Sequence, residues 1–203
     1  MPTEPDKKRF LKTMNIPLLD NASGLFKLDL PERETMDQYL DFILPKVRQF
    51  SEDVRERPYF EDVRWKEVRE GDTFHESVLH ILRPGGEYLL TVDGNIQKGS
   101  WKQLGDYNTI IIEIGAKSEL FDLVFLNGVF LILKKHGDQV RKGNRKYFVL
   151  ANEQVTWGPN GPLEWRDLME LLYNTYRENN NPFTMIVAVI LLLGAILIYS
   201  VWK

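Results

Sequence analysis

The chain has 203 residues, 43% of them hydrophobic and 27% charged, with a formal net charge of −3 and no cysteine. This composition excludes a disordered chain, a collagen-like fibre and a disulfide scaffold, and a pI near 5.7 argues against nucleic-acid binding by bulk positive charge. The missing cysteine also excludes thiol nucleophiles, thiolate zinc sites and thiol switches.

Residues 1–28 show no sustained periodicity, are broken by Pro2, Pro5, Pro17 and Gly24, and read as a tail. No apolar run of signal-peptide length follows the start, so no cleaved export signal is expected. From Asp29 the pattern turns helical. Asp29 and Glu32 have capping-box spacing and Pro31 suits a first turn. Met36, Leu40, Ile43, Val47 and Phe50 then recur at helical spacing, widened by Tyr39, which predicts an amphipathic helix over 29–50. Pro45 should kink it or end its first part.

Residues 51–157 read as an antiparallel β-domain. Its first stretch, Ser51–Glu70, mixes seven acids with five bases and reads as a solvated face. Short strand candidates follow, separated by turn signals: Glu76–Arg83, Glu87–Val92, Ile96–Leu104, Asn108–Ile114, Glu119–Leu126, Val129–Lys135 and Lys146–Ala151. Asp93-Gly94 and Asn127-Gly128 are strong hairpin turns. Seven strands without intervening helices predict a meander that curls into a barrel or half-barrel. The segment 119–126 is apolar on both faces, so it should be covered by a second layer, a helix lying across the sheet. Residues 158–178 read as a second amphipathic helix beginning at Pro162, with Trp165, Leu168, Met169, Leu172 and Tyr176 as its stripe. It could pack on the sheet or lie at a membrane surface.

After a polar linker, 179–182, residues 183–202 run for twenty positions without a charge. A helix of that length spans about 30 Å, the thickness of the hydrocarbon layer, and Tyr199 and Trp202 suit the far interface. The reading expects a single-pass, tail-anchored membrane protein with residues 1–182 in the cytoplasm. Lys203 alone carries charge beyond position 182, which leaves the preceding chain 25 bases against 29 acids, a net of −4.

Trp65, Leu82-x-x-Gly85-Gly86, Tyr88, Asp93-Gly94, Gly99-Ser100-Trp101, Asn108-Thr109, Ile110-Ile111-Ile112, Leu126-Asn127 and Leu131-Ile132-Leu133 form a pattern over residues 65–153. In it the chain resembles the bacterial lipocalin-like domains. The resemblance implies a small β-barrel with Trp65 in an early strand, and no particular ligand. Members of that family are usually exported or lipid-anchored. This chain departs from them by its C-terminal apolar run and by having no lipobox cysteine.

Motifs for chemistry are missing. No Gly-x-Ser-x-Gly elbow, Walker loop or dinucleotide fingerprint appears. His75 and His80 are five apart, on opposite faces of one strand, and His136 sits in a turn, so no metal or cofactor site is expected. Glu113 and Glu119 are not placed in a shared cleft. The basic hairpin Lys134, Lys135, Arg141, Lys142, Arg145 and Lys146 reads as a solvated loop, or as a contact for anionic lipid headgroups. It lacks aromatics for base stacking, so nucleic acid is not an expected partner.

The sequence therefore predicts a mainly β fold with flanking helices and one C-terminal transmembrane helix. Its leading functional reading is a membrane-tethered, non-enzymatic interaction or scaffold module with a protein partner. The alternative is a binder of a small apolar ligand or lipid, in a cavity lined by Tyr88, Ile110, Ile112 and Phe121.

Overall fold

A computed structural model of the chain describes residues 30–71, 77–137, 145–158 and 161–177. The sequence alternation is realised in eight strands: β1 (Trp65–Glu67), β2 (Val78–Leu82), β3 (Glu87–Val92), β4 (Asn95–Gln103), β5 (Thr109–Ile114), β6 (Lys117–Leu126), β7 (Phe130–Lys135) and β8 (Tyr147–Asn152). Each pairs antiparallel with the next, and β1 pairs with β8, so the meander closes into a barrel with no free edge. A two-stranded hairpin, β9 (Trp157–Gly158) with β10 (Gly161–Pro162), follows it.

Seven of these strands match the hydrophobic pattern to within one or two residues. The eighth, β1, lies in the stretch read as a solvated face, where only the family resemblance implies a strand. Its inward positions are Trp65 and Glu67, so period-2 apolar alternation is absent. Val68, just beyond, is buried on the outer side, under the helices. The Asp93-Gly94 turn has φ of 46° and 86°, the left-handed pair that a two-residue hairpin needs. Between Leu123 and Phe125 a register shift turns the end of β6. Phe125 then faces the helices and Leu126 the barrel interior.

Helix α1 (Met36–Val47) starts seven residues later than predicted. Its cap is Thr35, whose hydroxyl accepts from the Gln38 amide at 3.3 Å, while the Gln38 side-chain oxygen accepts from the Glu34 amide at 3.1 Å. Thr35–Gln38 has the same spacing as the predicted Asp29–Glu32 box. It wins because residues 31–34 are exposed and the continuous buried stripe begins at Met36. The helix does not break at Pro45. That residue is on the exposed face, and the helix continues to Val47 before a 3-10 turn at Arg48–Phe50.

Helix α2 (Trp165–Arg177) starts three residues after Pro162, which instead pairs with Trp157 in the hairpin. Both helices lie on the outer wall of β6, β7 and β8. Met36, Leu40, Ile43, Met169 and Leu172 pack there against Phe125, Phe130, Ile132 and Val149. This is the second layer that the two-faced apolar strand called for. Trp165, Leu168, Met169 and Leu172 of its predicted stripe are buried against the barrel. No helix among the described residues is long and apolar enough to cross a membrane. Residues 183–202 lie outside the described residues.

Candidate functional site

The barrel has two unlike ends. The chain leaving α1 runs beneath one of them. Glu52 donates its amide to the Leu126 carbonyl at 2.9 Å, and the Val54 amide donates to Asn108 Oδ1 at 3.2 Å. Val54 and Phe60, each 3% exposed, join the interior cluster and cap it. Trp65 Nε1 donates to the Phe60 carbonyl at 3.1 Å, Trp101 Nε1 to the Arg83 carbonyl at 2.9 Å, and the Phe60 and Trp101 rings meet edge to face. Outside this seal lies an open concavity of about 490 Å³, lined by residues including Arg57, Gly86, Trp101 and Asp106.

At the opposite end the inward-facing residues Leu90, Ile114 and Phe148 pack on the interior cluster yet stay partly exposed. Below them Tyr88, Ile110, Ile112 and Phe121 are buried, none more than 6% exposed. All four of the residues predicted to line a cavity thus face the interior and share one cluster. Among them runs a polar chain. The Tyr88 hydroxyl meets His80 Nδ1, His80 Nε2 lies 3.4 Å from Glu67 Oε2, and Arg69 binds both Glu67 oxygens at 2.9 Å. Phe148 stands edge-on to the His80 ring, with centroids 5.0 Å apart.

The electrostatics fix the proton positions. Burial alone would raise the Glu67 pKa. Hydrogen bonds and charge from His80 and Arg69 outweigh it and bring the group down to about 2. Glu67 is therefore an acceptor, so His80 Nε2 donates to it. Burial, helped by the Glu67 and Glu119 charges, pushes the Tyr88 hydroxyl above the usual phenol range. It keeps its proton and lies against His80 Nδ1. Every buried side-chain polar atom among the described residues has a partner. No group of His, Asp and Glu among those residues is arranged to hold a metal ion.

The described residues of the basic hairpin, Lys134, Lys135, Arg145 and Lys146, lie at this second end. Lys134 is exposed. Lys135 pairs in register with inward-facing Phe121. Arg145 donates to the Val68 and Glu70 carbonyls, both at 3.5 Å, and Lys146 pairs with Asp41 of α1. Arg141 and Lys142 lie outside the described residues, as do His75 and Glu76. His136 is exposed and pairs with Asp122 at 2.8 Å. Glu113 faces outward, between Ser100 and Ser118, and Glu119 inward, so they share no cleft. Glu67 escaped the sequence reading because its partner His80 is thirteen residues away on another strand.

No family model, curated protein or solved structure matches the chain. Its class is the one that the geometry defines: a closed, eight-stranded antiparallel barrel, capped at one end and bearing two helices on its outer wall.

Proposed function

We propose that the protein is a lipocalin-like binding module that takes a small, largely apolar ligand into the open end of the barrel, and that the apolar run 183–202 tethers it to a membrane. The observation that carries the ligand reading is the contrast between the ends. Val54, Phe60, Trp65 and Trp101 seal one, whereas Leu90, Ile114 and Phe148 leave partly exposed apolar surface facing inward at the other. Concave apolar surface with a few convergent polar groups is the usual form of a ligand site. The polar chain there is already satisfied, so it asks little polarity of a ligand. The tether rests on the length and purity of the apolar run.

The reading is of a binder and not of an enzyme. Glu67 is too weak a base at neutral pH, the Tyr88 hydroxyl holds its proton, and both nitrogens of His80 are occupied. A protein-docking reading draws on Trp157, 64% exposed on the β9–β10 hairpin, since Trp is a frequent interface anchor.

Titrating a chain ending at residue 182 with the apolar fluorophore N-phenyl-1-naphthylamine separates the two. The ligand reading expects saturable binding that Leu90→Lys and Phe148→Asp abolish and Trp157→Ser leaves unchanged. Binding indifferent to the open-end changes, or no binding, would refute it.

A further inference from the structure

Helix α2, the element that leads into the apolar run, ends at the sealed end of the barrel. Tyr176, in its last turn, stacks on Phe50 with ring centroids 4.8 Å apart, and its hydroxyl accepts from the side chain of Asn127 in the β6–β7 turn. From Phe50 the chain continues through Glu52, bonded to Leu126, to Val54, bonded to Asn108. Asn108 closes the β4–β5 turn. The end of α2 and that turn thus belong to one face of the molecule. The open mouth, with the Asp93-Gly94 and Gly115-Ala116 turns, is at the other.

Resting on the reading of 183–202 as a membrane tether, we propose that the barrel stands on the bilayer sealed end down, with Leu104 and Tyr107 in the headgroup layer and the open mouth turned away into water. Five residues, 178–182, separate α2 from the apolar run, and the six steps from 177 to 183 reach at most about 22 Å when fully extended. Ten-residue β6 is about 33 Å long, and with the usual strand tilt the wall stands about 25 Å tall. The linker therefore holds the sealed end, and not the mouth, against the surface.

That end carries the fitting side chains. Leu104 is 44% and Tyr107 74% exposed, both in the β4–β5 turn, and tyrosine favours the interface between hydrocarbon and water. Four of its arginines pair with carboxylates, Arg55 with Asp53, Arg57 with Glu61, Arg64 with Glu153 and Arg83 with Asp62, and Glu52, Glu56 and Asp106 add negative charge. A face without net positive charge has no preference for acidic lipid. Lys134, Lys135, Arg145 and Lys146 lie at the far end, so headgroup contact moves from them to an apolar pair. A ligand would then enter and leave through the aqueous phase, not straight from the bilayer beneath.

The chain has no cysteine, so single-cysteine variants can be labelled without background. The full chain is reconstituted into phosphatidylcholine vesicles carrying a headgroup quencher, with a fluorophore at Asp106→Cys or at Ala116→Cys. Quenching is expected to be several-fold stronger at 106 than at 116, and unchanged when phosphatidylserine is added. Combining Leu104→Ser with Tyr107→Ser should lower it at 106. Equal or reversed quenching overturns the orientation while the tether reading stands, and unchanged quenching in the double variant overturns the headgroup contact. A full chain that fails to float with vesicles overturns the tether reading and the orientation together.

Discussion

The two ends of the barrel are built from the same eight strands, and what separates them is the segment that joins α1 to β1. Residues 51–62 pass beneath one end and insert Val54 and Phe60 among Trp65, Leu82 and Trp101, so that end becomes close-packed core. At the other end no such plug is present among the described residues. There the inward side chains Leu90, Ile114 and Phe148 stay partly exposed, and the polar chain of Glu67, His80 and Tyr88 runs through the barrel interior beneath them. A strand pattern can close a barrel, but it does not decide whether the lumen is filled. That depends on sequence outside the strands.

If the ends differ in this way, equal truncations should cost unequal amounts. Trp65→Ala, at a site with no solvent exposure, should cost about 3–5 kcal/mol by urea unfolding. Phe148→Ala, at the partly exposed end, should cost only ~1 kcal/mol. Similar costs would erase the contrast.

The polar chain of the open end should show in acid. Glu67 titrates at about 2 when folded, against an ordinary 4.5, so its stabilising contribution is complete above pH 4.5 and is lost as pH falls toward 2. A depression of that size corresponds to stability on the order of 3 kcal/mol. Glu67→Gln should flatten the stability curve in that window, and an unaltered acid limb would show that the carboxylate is not held by His80 and Arg69.

Barrel closure itself is sensitive at Gly99. A Cβ there would lie 2.2 Å from the Glu113 carbonyl oxygen, a backbone atom that cannot yield cheaply. Gly99→Ala should cost about 2 kcal/mol and disturb β4–β5 pairing, visible in amide exchange. The smallest effect belongs to the joint between α1 and the barrel. Asp41 accepts from Lys146 and from the Tyr147 hydroxyl, the latter at 2.7 Å, but it is half exposed and screened by water. Asp41→Asn should lower stability by less than ~1 kcal/mol, with the thermal midpoint as the readout.

Much of this fold is legible in the chain because hairpin chemistry is local. Asp93-Gly94 and the alternation of Tyr88, Leu90 and Val92, or of Ile110 and Ile112, fix strand and face within a few residues. The same parity places Tyr88, Ile110, Ile112 and Phe121 inside. What stayed hidden depends on long-range register. Glu67 meets His80 because Trp65 pairs with His80 across β1 and β2, and no spacing rule encodes that. The partners of the basic hairpin stayed hidden for the same reason. Its charges are plain in the sequence, but the partners of Arg145 and Lys146 lie 75 and 105 residues upstream, on Glu70 and Asp41. Thr35 displaced Asp29 as the helix cap because burial, not spacing, chose between two equivalent signals.

The central claim is that the open end is the binding end. It is tested most directly by mapping amide chemical shifts of an isotope-labelled chain ending at residue 182 during titration with N-phenyl-1-naphthylamine. The account predicts saturable shifts gathered at Leu90, Ile114, Glu119 and Phe148, with the sealed end silent. Shifts gathered instead around Arg57, Gly86 and Trp101, at the concavity outside the seal, would contradict it.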